Sequence, residues 1–245
     1  MITASGSAIV VGVGPERGLG AALARCFAEK GLHVFIAGRS EYKLQSVVKY
    51  IQQAGGSATY VVADITSETS VNLLFDIIQS RNDTIHVAAY NVDSNIPAYF
   101  LETGVETFTT LWQQNCLGAF LFAKQLMALM QTQAQGTVFF TGATGSLRAK
   151  PPFTAFAAAK AGLRALAQGL AREFSPQGIH VVHTIIDGVI DGERARLQFP
   201  EYVKTKGADC LLQLEAITQT YWAIHQQPRS AWTHELDLRP FKESF

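Results

Sequence analysis

Short apolar runs alternate with amphipathic segments along almost the whole chain, and this alternation limits the folds that the chain can adopt. Apolar residues recur at helical spacing over 20–31, 41–56, 67–80, 105–131 and 152–174. The runs between and after them are strand-like: SAIVVGV (7–13), HVFIAG (33–38), ATYVVAD (58–64), TIHVAAYN (84–91), GTVFFTG (136–142), IHVVHTII (179–186) and part of SAWTHELDLRPF (230–241). Strands joined by helical crossovers form a parallel sheet with helices on both faces. The pattern predicts an α/β fold with about seven parallel strands.

The amount of apolar sequence suits one large core. The chain has 245 residues, of which 48% are hydrophobic and 16% charged, so we expect residues 1–245 to form a single doubly wound domain. Lys and Arg together number 20, as do Asp and Glu, and the formal net charge is zero. This balance gives no long-range attraction to nucleic acid or to an anionic membrane.

Cysteine usage and hydropathy indicate a reducing compartment. Cys26, Cys116 and Cys210 are odd in number and far apart, which suits neither a disulfide framework nor a metal cluster. The stretch MITASGSAIVVGVG has no basic segment before its short apolar run, and no apolar run reaches transmembrane length. The sequence therefore predicts a cytoplasmic protein without a membrane span.

A glycine cluster follows the first candidate strand directly. In VGVGPERGLG, Gly14, Gly18 and Gly20 lie where the strand ends and the first helix begins. Glycine permits a tight turn there and lets backbone N–H groups approach a pyrophosphate at the helix N-terminus. A second strand follows at the distance that a βαβ unit requires, so the cluster predicts a dinucleotide site in a Rossmann-type domain. A structural turn without a ligand is the alternative.

The end of the second strand indicates which dinucleotide binds. An NAD site has an acidic residue about twenty positions after the glycines, where it binds the ribose 2′-hydroxyl. Here the strand ends IAGRS, which places Gly38 and Arg39 at that point. A guanidinium suits a 2′-phosphate, and Arg17 inside the glycine loop could supply a second positive charge. NADP(H) is therefore favoured over NAD(H).

Four further residues complete a family pattern: Asp64 in VVAD, Asn91 in AAYNVD, Asn115 in WQQNCLG and Lys160 in FAAAK. With the glycine motif, they make the chain resemble the classical short-chain dehydrogenases/reductases over nearly its whole length. The resemblance implies an NADP(H)-dependent oxidoreductase in which Asn115 and Lys160 are catalytic. The cofactor contacts that it implies involve Gly14, Arg17, Gly18, Leu19, Gly20, Arg39, Asp64, Ile65, Asn91, Lys160, Gly188 and Ile190.

The departures from the family gather at its reactive centre. Phe156 occupies the position of the proton-donating tyrosine, and Ala143 (or Gly142) that of the serine that holds the carbonyl oxygen. Asp187-Gly188 replaces the family's Pro-Gly, and Gly192 stands at its threonine. Loss of a positioned general acid typically slows a reaction about 10²–10⁴-fold, and loss of an oxyanion donor about 10²–10³-fold. The family's own mechanism is therefore not expected to run here.

Two functions from different classes stay open. One is an oxidoreductase with a non-standard active site, in which water, the substrate or an unusual residue handles the proton. The other is a catalytically inactive NADP(H)-binding sensor or scaffold. Tyr90 is a substitute acid only if its side chain points into the cleft. The other side chains considered for this role are Thr141, Thr144, Ser146, Thr154, His183, Asp187 and Asp191.

Two remaining features concern the periphery. Residues 188–210 form a long polar connection after the sixth strand, where doubly wound sheets often carry a ligand lid; a plain surface excursion is the alternative.

The segments 105–131 and 152–174 are rich in small and apolar residues, and the family commonly pairs these two helices across a two-fold axis. A homodimer or homotetramer is therefore predicted, with Trp232 and Phe241 available to a neighbouring subunit.

Overall fold

A computed structural model describes residues 6–207 and 209–243. Its centre is a seven-stranded sheet in the order β3-β2-β1-β4-β5-β6-β7, with every neighbouring pair parallel. The strands are β1 Gly6–Val11, β2 His33–Gly38, β3 Ser57–Val62, β4 Thr84–Tyr90, β5 Gly136–Ala143, β6 Ile179–Ile186 and β7 Glu235–Leu238. The predicted doubly wound parallel sheet is confirmed.

Helices cover both faces of the sheet. They are α1 Leu19–Glu29, α2 Glu41–Gln53, α3 Glu68–Ser80, α4 Val105–Trp112, α5 Gly118–Gln133, α6 Thr154–Phe174, α7 Glu193–Gln198, α8 Pro200–Lys206 and α9 Leu214–His225. Alternate residues of a strand face opposite sides. In β1, Ala8 and Val10 pack with α1, α2 and α9, whereas Ile9 and Val11 pack with α3, α5 and α6.

Several element boundaries differ from the sequence-based prediction. The first strand ends at Val11, before the glycines. The predicted helix over 105–131 is divided into α4 and α5 by a π-helical turn, Gln113–Leu117. The polar segment 188–210 contains α7 and α8, and α9 was not predicted as a helix. Ser67 caps α3, since its hydroxyl accepts a hydrogen bond from the Ser70 backbone N–H.

The strand order places a crevice at the carboxyl ends of β1 and β4. These two strands are neighbours, and the chain leaves them toward opposite edges of the sheet. Such a reversal is where open α/β sheets bind ligands. Most of the sequence-predicted cofactor residues follow strands that end at this edge, whereas Asn115 lies in the π-helical turn and Lys160 in α6. Within the described residues, no helix is both long and apolar enough to span a bilayer.

Candidate functional site

The glycine loop between β1 and α1 is shaped by close backbone contacts. Gly12 has a φ of +82°, and a Cβ atom there would lie 2.6 Å from the Asn91 carbonyl. A Cβ on Gly20 would lie 2.8 Å from the Gly12 carbonyl oxygen, and one on Gly18 would lie 3.0 Å from that of Pro15. Gly18 and Gly20 are therefore required by the fold of the loop itself, whatever it binds.

Gly14 differs from the other two glycines of the motif, because a Cβ there would meet no atom within 4 Å. A side chain at this position would only occupy the space over the loop. Gly18 begins α1, and no side chain of the described residues caps that helix end. Its first backbone N–H groups are therefore available to an anion, and the next residue, Leu19, is buried. These residues fit a pyrophosphate group.

Arg39 follows β2 and is exposed to solvent beside the loop. Gly38 is required next to it, because a Cβ there would lie 2.3 Å from the Val13 carbonyl oxygen. Asp64 lies close by after β3, where two hydrogen bonds from Thr66 lower the pKa of its carboxyl group and Arg39 lowers it further. The exposed cation of Arg39 therefore lies near the carboxylate of Asp64, which already accepts two hydrogen bonds from Thr66.

Asn91 and Ile65 line the crevice where β4 and β3 end. The Asn91 backbone N–H donates to the Val11 carbonyl over 3.0 Å, which joins the end of β4 to that of β1. Ile65 is buried, and a Cβ on Gly118 would lie 3.0 Å from its side chain. Both residues therefore hold the strand ends and helix α5 together at the crevice.

Tyr90 is directed away from the crevice. Its side chain is fully buried beside Phe122 and Phe140, and its hydroxyl donates a 2.6 Å hydrogen bond to the Gln114 carbonyl. Burial raises the pKa of this phenol well above its ordinary value. Tyr90 is therefore a core residue that supports the π-helical turn, and it is not the substitute acid that the sequence left open.

Asn115 lies in the π-helical turn and is completely buried. Its amide nitrogen donates to the Leu111 carbonyl and to the Ser94 carbonyl, each over 2.9 Å. The wider turn leaves carbonyls without their usual helical partners, and a side-chain amide can satisfy them. Asn115 thus joins the helix to the loop after β4, which carries Asp93.

Lys160 lies inside the protein, with only 1% of its surface exposed. Its ammonium nitrogen is 3.0 Å from the Thr141 carbonyl oxygen, 3.4 Å from that of Val92 and 3.4 Å from Oδ1 of Asp93. Burial lowers the pKa of Lys160, and the carboxylate of Asp93 opposes that shift. Lys160 is therefore not a surface lysine.

Phe156 lies one helical turn before Lys160 on α6. Its ring is 7% exposed, and its centroid is 5.7 Å from the Lys160 ammonium nitrogen. The ring packs over Gly145, where a Cβ would lie 3.2 Å from it. Ala143 ends β5 nearby, and its backbone N–H donates to the Ser146 hydroxyl over 3.2 Å. Neither Phe156 nor Ala143 carries a side-chain proton donor.

Asp187 forms a buried ionic cluster at the end of β6. Its carboxylate accepts hydrogen bonds from Thr144, Arg148 and Arg239, at 2.5, 2.5 and 2.6 Å. The cluster ties the loop after β5 to the chain after β7. The next residue, Gly188, has a φ of +152° and packs against Pro240. Asp187 is thus occupied by structural partners.

The segment after β6 returns to the glycine loop. The Glu193 backbone N–H donates to the Arg17 carbonyl over 2.8 Å, and Gly192 packs against the same carbonyl. Ile190 pairs with Leu212 through an isolated bridge. A larger residue at Gly192 would clash with the loop, since its Cβ would lie 2.8 Å from the Arg17 oxygen. Gly192 and Glu193 at the start of α7 therefore pack directly on the candidate dinucleotide loop.

A second polar cluster lies behind Lys160. Glu235 on β7 accepts two hydrogen bonds from Arg164, at 2.6 and 2.7 Å, and a 2.9 Å contact joins it to Nδ1 of His183. The other ring nitrogen of His183 lies 3.4 Å from the Ser146 hydroxyl. Burial lowers the pKa of His183 to about 4, and the hydrogen bonds from Arg164 lower that of Glu235 to about 2. The histidine is therefore neutral at pH 7.

The sequence analysis missed two partners at this site. Neither Asp93 nor Arg194 was predicted as a site residue. Asp93 and Arg194 are 101 positions apart in the chain. The signal in the sequence that could have indicated their contact is the carboxylate of Asp93, two positions after Asn91. Trp232, which was expected to be available to a neighbouring subunit, is half-buried, and its ring stacks on that of His180 with the ring centroids 4.6 Å apart. Within the described residues, no group of three or more potential ligands could hold a metal ion.

Comparison with known proteins agrees with this fold. A family model described as short chain dehydrogenase matches residues 8–202. The chain therefore belongs to the short chain dehydrogenase family, whose members bind nicotinamide cofactors. This match covers the glycine loop, the ends of β1 to β6 and α6.

Individual relatives show the same likeness. A short-chain dehydrogenase/reductase of Armillaria gallica is 31% identical over 177 residues, which are 71% of this chain and 67% of the relative. A crystal structure of a short-chain dehydrogenase from Rhodopseudomonas palustris is 35% identical, covers 96% of this chain and 99% of its own, and has a TM-score of 0.82. A variant of actinorhodin polyketide ketoreductase crystallised with NADPH is 20% identical, covers 98% of both chains and has a TM-score of 0.88, which shows the fold alone.

Proposed function

We propose that the protein is an NADP(H)-dependent oxidoreductase whose active site does not use the serine and tyrosine of its family. The observation that carries the proposal is the buried ammonium of Lys160, held at the end of β4 beside Asp93. Burying a charge is costly unless it has partners, so a lysine in this position indicates a role that needs the cation. Lys160 would contact the nicotinamide ribose.

The glycine loop supports binding of the pyrophosphate. The open space at Gly14 and the uncapped start of α1 at Gly18 suit an anion, and Arg17 and Arg39 supply positive charge near it. Gly20, Asp64, Ile65, Asn91, Gly188 and Ile190 would complete the cofactor contacts. A 2′-phosphate matches the exposed guanidinium of Arg39 better than a ribose hydroxyl does, because charge-assisted bonds to phosphate are strong. A variant ketoreductase of the same fold was crystallised with NADPH.

When bound, the cofactor would supply or accept a hydride. The residues of this chain would hold the reacting groups and exclude water, but Phe156 cannot donate the accompanying proton. Asn115 is occupied by two backbone carbonyls, so it would act by fixing the loop after β4. The proton would come from water, from the substrate or from a group near Lys160.

A second function, NADP(H) binding without hydride transfer, is favoured by Phe156 itself. The ring fills the position next to Lys160 and is 7% exposed, so it behaves as a packing residue there. In this reading the protein would be a sensor or scaffold that responds to NADPH.

One set of measurements separates the two functions. NADPH affinity is measured by fluorescence titration, and NADPH consumption is then followed with a broad panel of ketones and aldehydes. Turnover that Lys160→Met abolishes supports the oxidoreductase. Tight binding without turnover across the panel, and without NADP⁺ reduction by the matching alcohols, supports the sensor or scaffold. Failure to bind either NADPH or NADH would overturn both proposals.

A further inference from the structure

Lys160 has a partner that the family pattern does not explain. An ammonium group has three N–H donors, and three acceptors of the chain lie within 3.4 Å of its nitrogen: two backbone carbonyls and Oδ1 of Asp93. Asp93 is the only one of the three that carries a charge. The position of this carboxylate therefore determines how the positive charge of the buried Lys160 ammonium is balanced.

The second oxygen of the same carboxylate contacts the segment after β6. Oδ2 of Asp93 lies 3.3 Å from a guanidinium nitrogen of Arg194, and Arg194 also donates to the side chain of Asn95. Arg194 is in helix α7. One carboxylate thus joins the fully buried Lys160 to a half-exposed residue of α7, with 41% of the Asp93 side chain accessible to solvent.

The other charged groups around Lys160 do not replace this interaction. His183 faces Lys160 from β6 and is neutral above a pKa of about 4. Arg164, one turn further along α6, is paired with Glu235 of β7 through two hydrogen bonds. Burial lowers the pKa of Lys160, and Asp93 is the group that opposes the shift. Loss of the carboxylate would leave a cation in an apolar environment with carbonyl dipoles alone.

We propose that Asp93 is a positioning residue for Lys160, whose carboxylate keeps the buried ammonium charged and in place while Arg194 of α7 fixes the carboxylate from the other side. The proposal rests on the cofactor binding proposed above, in which Lys160 takes part. Asp93 stands at a position where the family motif has no charged residue, and the proposal gives this residue a role. The proposal also links the packing of α7 to the charge and position of the Lys160 ammonium.

The test is the pH dependence of NADPH affinity, measured by fluorescence titration from pH 7 to pH 10. In Asp93→Asn we expect the dissociation constant at pH 7 to rise about threefold to tenfold. We also expect the loss of affinity with rising pH to begin about one pH unit lower than in the unmodified protein, because the ammonium loses its proton more easily. A merely structural effect on the loop would not move this pH.

Two arginine variants of α7 provide a matched pair. Arg194→Gln removes the contact with Asp93 and leaves both Asp93 and Lys160 in the chain, so NADPH should bind about twofold to fivefold more weakly. Arg196→Gln breaks a bidentate pair with Asp191 inside the same segment, at 2.7 and 2.9 Å, and should leave the affinity unchanged. Thermal unfolding of each variant shows that it is folded.

The outcomes separate this inference from the proposed function. If Lys160→Met binds NADPH as tightly as the unmodified protein, Lys160 does not contact the cofactor and that part of the proposed function fails. If Lys160→Met weakens binding but Asp93→Asn keeps the affinity and the pH profile of the unmodified protein, only the role of Asp93 is refuted. Tighter binding in Asp93→Asn would also refute it, because Asp93 would then compete with the cofactor for Lys160.

Discussion

Phe156 and Lys160 share one face of α6, and the residue at each position limits the chemistry of the site. The ammonium of Lys160 is buried and lies within 3.4 Å of three acceptors, whereas the Phe156 ring next to it offers no hydrogen bond. A short segment can therefore keep the residue that would hold a cofactor while lacking the one that donates a proton. Ala143 continues this pattern at the end of β5.

Phe156→Tyr combined with Ala143→Ser should raise turnover of simple ketones with NADPH by about 10²-fold or more, because it adds the acid and the oxyanion donor together. NADPH affinity should change little, since the gain would arise in the transition state. Steady-state kinetics and a fluorescence titration measure the two effects. Phe153→Tyr, which adds a hydroxyl in the same segment, is the control. Ordinary turnover in the unmodified protein that Phe156→Tyr does not change would indicate an acid that we have not identified.

Arg39 should determine the choice of cofactor. We expect NADPH to bind about 10- to 100-fold more tightly than NADH, roughly 1.4–2.8 kcal/mol, because the guanidinium can make charge-assisted bonds to a 2′-phosphate. Arg39→Asp should lose most of that preference, and Arg81→Asp, at the distant end of α3, should keep it. Isothermal titration with both cofactors measures the ratio. Equal affinities in the unmodified protein would refute the assignment of a 2′-phosphate site.

At the level of elements, the π-helical turn between α4 and α5 decides where Asn115 lies. The Tyr90 hydroxyl donates to the Gln114 carbonyl, and the Asn115 amide donates to the Leu111 carbonyl. Each bond satisfies a carbonyl in the irregular part of the helix. The local helical spacing of 105–131 gives no sign of this interruption, because it depends on a tyrosine from β4.

Histidines on β6 and α9 carry a pH-dependent part of the stability. His183 and His225 each have a pKa lowered by burial to about 4 in the folded protein, against an ordinary value of 6.5. The unfolded chain therefore takes up protons first as the pH falls below 6.5, and the folded state loses stability from there down to pH 4. Between pH 7 and pH 5 the free energy of unfolding should fall by roughly 2–4 kcal/mol.

Glu235 extends the loss of folding stability to lower pH. Its folded pKa of about 2 lies below the ordinary 4.5, so its contribution is complete above pH 4.5 and disappears as the pH falls toward 2. Urea unfolding at pH 7, 6 and 5 measures the histidine part. His183→Gln, which cannot titrate there, should show a smaller fall than the unmodified protein. Stability that does not change between pH 7 and pH 5 would contradict the assignment.

At the level of the whole molecule, one apolar surface is left uncovered along α4 and α5. Val105, Phe108, Trp112 and Phe120 are 84%, 45%, 40% and 47% exposed. An exposed set of large apolar side chains on adjoining helices suits contact with another protein surface. Members of the family commonly pair the helical segment over 105–131, here α4 and α5, across a two-fold axis. A second copy of the chain is therefore the expected partner.

The protein should therefore be a homodimer or a homotetramer at micromolar concentration. Phe120→Glu places a charge in the apolar surface and should shift the protein toward a monomer, because an unpaired charge is costly to bury. Leu73→Glu, at an exposed apolar position of α3, should keep the unmodified mass. Multi-angle light scattering measures the mass of each. A monomeric unmodified protein would rule out this assembly.

Much of the fold followed from local patterns. Apolar runs, helical periodicity and glycine placement are properties of neighbouring residues, so the sequence predicted the strands, most of the helices and the glycine loop. Motif spacing predicted Lys160 and Asn115 as site residues, and their roles stay predictions. The sequence did not predict α9, the division of the helix at the π turn, or the helices within 188–210. Each of these depends on packing against residues distant in the chain.

The arrangement around Lys160 was decided by the tertiary structure alone. The spacing of FAAAK placed Phe156 and Lys160 on one helix face, but it did not indicate Asp93 as the partner of the ammonium or Arg194 as the second partner of that carboxylate. Asp93 lies after β4, Lys160 on α6 and Arg194 on α7, and they meet because parallel strands end at one edge of the sheet. Charge compensation in a buried site depends on distances in space, which a linear pattern does not contain.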